Sequence, residues 1–397
     1  MSSPPIRLTS ILLHFLQLGC TAFGGPVAHL GYFQETFVQK LRWIRQDAYA
    51  DLVALCQFLP GPASSQVAFS IGYQQRGVIG AFLAWLGFTL PSAILMIGFA
   101  LGLTALGDLQ AAGWIVGLKL AAVAVVANAI GSMAETLCPD RDRALLALCS
   151  AALLLIFQQP HWQILVLLIG AGIGWRCFGH KIAANEAQPH VSQPTRSFAW
   201  LYLSAFGVLL IAWPLAGHRF GGWLEASEGF YRAGSLVFGG GHVLLPLLDG
   251  LTVAKGWVDS HTFLAGYGAA QALPGPLFAF AGFLGATLQA GPGGLSGGLL
   301  ALLAINLPSW LLVLGVLPYW ERLRGVSTAR AALMGTNAAV VGLLLAAFYD
   351  PIWTSAITDS HRFAFALLAF ALLRFASLPP WLIVIGSALG GALLWGS

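Results

Sequence analysis

Long apolar runs, separated by short polar or glycine-rich breaks, fill almost the whole chain. A helix needs about 20 apolar residues to cross a bilayer. Runs at 8–23, 47–73, 78–106, 113–137, 144–157 and 162–178 reach or approach that length. A stretch rich in His, Gln and Pro follows at 179–197, and further runs lie at 198–217, 225–238, 262–288, 295–319, 331–348, 363–375 and 381–395. The pattern predicts an all-α polytopic membrane protein with thirteen apolar spans.

Two of these runs are interrupted in the same way. Leu59-Pro60-Gly61-Pro62 breaks the second, and Leu273-Pro274-Gly275-Pro276 breaks the run at 262–288. Each proline removes a backbone N–H and clashes with the preceding turn, at about 3 kcal/mol in a helix interior. In lipid the freed carbonyls need partners, so such a break persists only where protein or a watery cavity surrounds it. The spacing therefore predicts two broken helices facing each other inside the protein.

Further landmarks recur at nearly the same separation, which is the mark of an internal repeat. Phe23-Gly24-Gly25 returns as Phe238-Gly239-Gly240, Trp43 as Trp257, and Leu90-Pro91-Ser92 as Leu307-Pro308-Ser309. The chain divides into a first repeat at 1–178, a polar linker plus connecting span at 179–217, and a second repeat at 218–397. About six helices fall in each repeat, and the single connecting span places the second upside down. With the N-terminus in the cytoplasm, twelve Lys/Arg fall in inside loops and five outside, which agrees with the positive-inside rule. Lys40, Arg42 and Arg45 sit on the wrong side of this scheme.

Composition narrows the class. The chain is 58% hydrophobic and 9% charged, against about 25% charged residues in soluble domains. No basic arm points to nucleic acid. The five cysteines form no CxxC pair and read as structural thiols. No cofactor, metal or catalytic cluster is expected, and the protein is not read as an enzyme. Partners are the lipid bilayer and, as a further possibility, a second copy in a homodimer.

The run Phe23-Gly24-Gly25-Pro26, then Ala28-His29, then Gln57-Phe58-Leu59-Pro60-Gly61-Pro62, then Gln66, Gly72-Tyr73 and Leu90-Pro91-Ser92 resembles the chromate ion transporter (CHR) family in its long-chain, two-domain form. The resemblance implies efflux of chromate, a divalent oxyanion similar to sulfate, across a bacterial-type inner membrane. It implies energy from the proton or electrical gradient and a role in chromate resistance. No Gly-x-x-x-x-Gly-Lys-Ser/Thr phosphate loop occurs in the sequence, as fits a secondary transporter. A sulfate transporter or a passive anion channel is the alternative.

A dianion needs hydrogen-bond donors and positive potential. A helix restarting after Pro62 or Pro276 offers unpaired N–H groups at its positive end. Two such ends would supply roughly one unit of positive charge. The expected site comprises Gln57, Pro60, Gly61, Pro62, Ser64 and Ser65 from the first repeat, with Gln271, Pro274, Gly275 and Pro276 from the second. Lys119, a cation within a span, is added to it, while Arg232 reads as an ion pair with Glu228. Gly24, Gly25, Gly239, Gly240 and Gly241 are candidate hinges or points of close backbone approach. Ala63-Ser64-Ser65-Gln66 is donor-rich where Leu277-Phe278-Ala279-Phe280 is apolar, so the ion is expected nearer the first break, with binding independent of pH. The bland reading of these motifs is that they kink helices for packing.

Overall fold

The computed structural model describes residues 6–106, 112–157, 159–179, 198–238, 240–320 and 326–396, and every regular element among them is helical. Most of the linker, together with Gly239, lies outside the described residues.

Each repeat begins with two helical hairpins that do not cross the molecule. In the first repeat, α1 (Leu8–Thr21) turns at Gly24, whose φ of 100° suits glycine, and returns as α2 (Gly25–Phe33) with a π-helical extension (Gln34–Lys40). Phe15 of α1 packs on Phe33 and Phe37 of the returning limb. The second hairpin is α3 (Gln46–Phe58), the Pro-Gly-Pro tip, and the first part of a helix assigned over Ala63–Leu106. That helix is interrupted at Arg76 and Gly77, which have non-helical dihedrals. We call its parts α4a (63–75) and α4b (78–106). Gln75 donates from Nε2 to the Trp43 carbonyl at 3.1 Å, so the hairpin's two ends lie together. At 13 residues, α3 is about 20 Å long. The run at 47–73 is thus a re-entrant hairpin rather than one span.

The second repeat copies this plan. α9 (Gly222–Leu236) turns and returns as α10 (Leu244–Thr252). A Cβ on Gly229 would collide with Leu251, and Lys255 pairs with Glu225 at 2.6 Å across the open end. α11 (Ser260–Gln271) and α12 (Phe280–Thr287) flank the second Pro-Gly-Pro. Phe263 packs on Phe280, and Gln289 N–H donates to the Trp257 carbonyl at 3.4 Å.

The long helices after the hairpins establish the inversion. α4b and α13 (Gly294–Val316) are equivalent in the two repeats. Trp85 meets Trp310 with ring centroids 4.6 Å apart, while a Cβ on Gly298 would lie 2.8 Å from Ile97. Rising numbers on one helix meet falling numbers on the other, so the pair is antiparallel. The hairpins of the first repeat therefore enter from one face and those of the second from the opposite face.

The remaining helices run between these faces: α5 (Gly113–Leu137), α6 (Arg141–Ile156), α7 (Pro160–Cys177), α8 (Ala199–Phe220), α14 (Ser327–Ala347), α15 (Ser360–Arg374) and α16 (Pro380–Trp395). Glycines let them approach closely. A Cβ on Gly174 would lie 2.8 Å from Gly335 N, and one on Gly117 would collide with Ser387 O. α15 lies along the length of α5, with Arg374 ion-paired to Glu135 at one end. Five segments are long and apolar enough by length and composition to cross a membrane: 63–105, 113–137, 199–217, 294–319 and 327–356. α6, α7, α15 and α16 are shorter but lie along them.

Among the described residues, nine helices running between the two faces and four re-entrant hairpins therefore replace the thirteen spans expected from hydropathy. The reason is physical: an apolar run folded back at its middle has the same composition as one that goes straight through. Because the replaced runs are even in number, the termini stay on opposite faces. The charges now sort better. Among the described residues, Arg7, Lys40, Arg42, Arg45, Arg76, Arg141, Arg143, Arg176, Arg330 and Arg374 lie toward the face from which the first hairpins enter. Arg219, Lys255 and Arg362 lie toward the other, with Lys119 and Arg232 inside helices on that side. The three charges at 40–45 join the majority, giving the kind of asymmetry between faces that the positive-inside rule describes.

Candidate functional site

The four hairpin tips meet in the interior as two cross-repeat pairs. The tip of the Pro-Gly-Pro hairpin in the first repeat reaches the end of α9: Gly61 N–H donates to Val237 C=O at 2.7 Å. In the other half, Gly275 N–H donates to Ala22 C=O, at the end of α1, at 2.9 Å. Gly61 (φ 126°) and Gly275 (φ 92°) both lie in a region that L side chains avoid. Space also demands glycine. A Cβ on Gly61 would collide with Ser309 Oγ and lie 2.5 Å from Gln66 Nε2, and one on Gly275 would lie 3.0 Å from Ser92 Oγ. Ser92 and Ser309 belong to the repeated Leu-Pro-Ser motif. Each motif thus lines the tip of the opposite repeat.

Local sequence shapes the first tip. Gln66 donates from Nε2 to Pro60 C=O at 2.7 Å, closing the Pro-Gly-Pro loop onto the restarting helix. The first bond of α4a runs from Gln66 N–H to Pro62 C=O at 2.9 Å, so the N–H groups of Ala63, Ser64 and Ser65 precede the helical ladder. Both serines are buried. In the second repeat the first bond runs from Ala279 N–H to Pro276 C=O at 3.0 Å, and the side chains there are Leu277 and Phe278.

Buried polar atoms without hydrogen-bond partners gather around these tips: Ser65 Oγ, Gln66 Oε1, Thr89 Oγ1, Ser309 Oγ, His29 Nδ1 and Gln271 Nε2. An unsatisfied buried group costs about 1–3 kcal/mol, so such a concentration asks for a polar occupant. A Cβ on Gly25 or Gly240 would meet open space, and these two glycines occupy equivalent tips. The expected unit of positive charge needs correction. Each restarting helix begins beside the C-terminal end of its own hairpin partner, and the opposite half-charges largely cancel at a distance. An ion would feel the N–H and hydroxyl groups it touches.

Other expected residues fall apart in space. Gln57 is on an exposed face of α3. Lys119 is buried and donates from Nζ to His261 Nδ1 at 3.0 Å, near the open end of the second Pro-Gly-Pro hairpin. Ten residues of α11 separate His261 from Gln271, about 15 Å, so Lys119 is not at a tip. Arg232 pairs with Glu228 at 3.4 Å, as its spacing suggested. Gly241 packs near Leu277, while Gly239 lies outside the described residues.

Two cavities open near the entry face of the second repeat. One of about 310 Å³ is lined by Gln159, Gln163, Asp249 and Asp350 among others. Another of about 110 Å³ is lined by His161, Gln163, Arg232 and Lys255 among others.

The chromate transporter family model matches residues 9–175 and 224–392, one stretch in each repeat. A chromate transport protein of Cupriavidus metallidurans is 26% identical over 99% of this chain and 95% of its own length. A probable chromate transport protein of Synechococcus elongatus is 26% identical over 99% of this chain and 97% of its own. A chromate transport protein of Pseudomonas aeruginosa is 28% identical over 87% of this chain and 82% of its own. No solved structure matches the chain. With both repeats matched and the re-entrant tips built from the motifs described above, this multi-pass membrane protein belongs to the chromate transporter family.

Proposed function

We propose that the protein is a secondary transporter that exports chromate across the cytoplasmic membrane, driven by the proton motive force, and so confers chromate resistance. The observation that carries this reading is the pair of unpartnered buried hydroxyls, Ser65 and Ser309, beside the first Pro-Gly-Pro tip, at a junction shared by both repeats. Ser64, Ser65 and the N–H groups before the α4a ladder bind the dianion. Gly61, Pro60 and Pro62 shape the turn, with Gly275, Pro274 and Pro276 doing so opposite.

The drive has a simple physical source. One charge crossing a potential of 100 mV is worth about 2.3 kcal/mol, so a dianion leaving a negative interior gains about twice that. Access alternates as the hairpins of one repeat shift against the long helix of the other, opening one or other of the Gly61–Val237 and Gly275–Ala22 contacts that are both closed here.

The test is uptake of labelled chromate or sulfate into everted vesicles, with the electrical and pH gradients collapsed separately. Accumulation against a gradient supports a carrier, whereas flux that never exceeds equilibrium supports a channel. Replacing Ser64 and Ser65 together by alanine is expected to weaken half-saturation about ten- to a hundredfold, through loss of one or two hydrogen bonds to a charged ligand. Unchanged affinity would remove the ion from this tip.

A further inference from the structure

Among the described residues, His29 is the histidine at the tips of the first repeat, and the site described above leaves it unused. Its ring is 1% exposed. Nε2 lies 3.1 Å from Ala22 C=O. A carbonyl can only accept, so Nε2 carries the proton in the neutral ring and Nδ1 is left with a bare lone pair. That Nδ1 is buried and has no partner. The ring edge packs on Phe88 with centroids 5.2 Å apart.

Its position gives this group leverage. The same Ala22 carbonyl also accepts from Gly275 N–H, the bond that seats the opposing hairpin. One helical turn before His29, Gly25 borders open space, so His29 and that space share a face of α2. Among the described residues, no fixed charge competes nearby. α1 carries His14, which is bonded to Ser10, and the thiol of Cys20; α4a carries Tyr73, and Arg76 follows it at the open end of the hairpin. On the π-helical extension Glu35 and Lys40 pair with each other at the surface. α3 contributes Asp47 and Asp51, toward its open end, and the opposing α11–α12 hairpin contributes His261, bonded to Lys119 at its far end.

We propose that His29 is a proton-binding site linked to oxyanion binding at the tips; this rests on the function proposed above. Binding a proton at Nδ1 turns the ring into a cation beside the junction and gives it a second N–H with no protein acceptor. An oxyanion there supplies both an acceptor and a countercharge. Each ligand must then raise the affinity of the other by the same factor. The ring gains one proton, so a carrier moving both outward transfers one net negative charge and draws on the electrical part of the gradient, about half of what the bare dianion would gain. This proton dependence is absent from a site made of backbone donors alone.

The experiment uses the full-length protein in proteoliposomes and labelled sulfate, which stays a dianion throughout. Wild-type affinity is expected to rise at least about fivefold from pH ~8 to pH ~5.5, because the bound oxyanion favours the protonated ring in that range. His29→Gln is expected to bind sulfate with no such slope. A second measurement needs no variant: sulfate added to weakly buffered wild-type protein should draw protons from solution. If wild type binds sulfate with a flat pH profile and takes up no protons, the inference is overturned. It is also overturned if His29→Gln keeps the wild-type slope. No saturable sulfate binding at any pH would overturn the oxyanion reading itself.

Discussion

Gly61 of the first repeat hydrogen-bonds the backbone of Val237 in the second, N–H to C=O at 2.7 Å. Its counterpart, 214 residues on, is Gly275, which does the same to Ala22. Neither hairpin is completed by its own repeat. Each tip is held by the end of a helix that enters from the opposite face, so the two halves cannot be separated into independent domains. A movement of one half must be felt by the other through these two bonds.

Replacing Gly61 by alanine should be the most damaging small change at the junction. It forces a side chain into a positive-φ position, worth about 1–2 kcal/mol, and drives a methyl group into Ser309 and Gln66, worth about 1–3 kcal/mol more. Gly275→Ala should cost less, because its nearest side-chain neighbour stands at 3.0 Å. Gly98, with nothing within 4 Å, should accept alanine without loss. Melting of the detergent-solubilised protein ranks the three.

Ser309→Ala should leave stability nearly unchanged, since its hydroxyl makes no hydrogen bond to lose. It should weaken oxyanion affinity several-fold if that hydroxyl faces the ion across the repeats. Equilibrium binding of labelled sulfate measures it.

Lys119→Met should lower expression or melting temperature while changing oxyanion affinity less than about twofold, because its bond to His261 is remote from the tips. A tenfold loss of affinity with intact folding would return Lys119 to the binding site.

The re-entrant path can be read by thiol labelling in a background lacking the five native cysteines. Cysteines at Gln46 and Gln74, the two ends of one hairpin, should react from the same side of the membrane. A cysteine at Gln289 should react only from the other. A straight crossing at 47–73 would put positions 46 and 74 on opposite sides.

Asp359 caps α15 by accepting from the N–H groups of His361 and Arg362 at 2.9 and 3.0 Å. The Arg362 backbone bond is the largest of the effects that hold its carboxyl below the usual range. A carboxylate with a lowered folded pKa stabilises above its unfolded value, near pH ~3.9, and loses that contribution as pH falls through the folded value. The melting temperature of wild type should therefore fall between neutral and strongly acid pH more steeply than that of Asp359→Asn.

Much of this molecule was decided by the chain alone. The excess of apolar residues and the scarcity of charge dictate a membrane protein, because no single water-soluble core could hide them. The doubled Phe-Gly-Gly, Pro-Gly-Pro and Leu-Pro-Ser motifs establish the repeat, and the prolines dictate where helices must stop. The donor-rich Ser64-Ser65-Gln66 and the apolar Leu277-Phe278-Ala279 already separate the two tips chemically. Tertiary structure decided whether a broken apolar run passes through or folds back, since both bury the same residues in the same lipid. It also decided that Lys119 stays with His261, that Ser92 and Ser309 serve the opposite repeat, and that His29 stands at the junction with one nitrogen bare. Those relations join residues far apart in the chain, and no local pattern of hydropathy records which distant backbone will supply the missing partner.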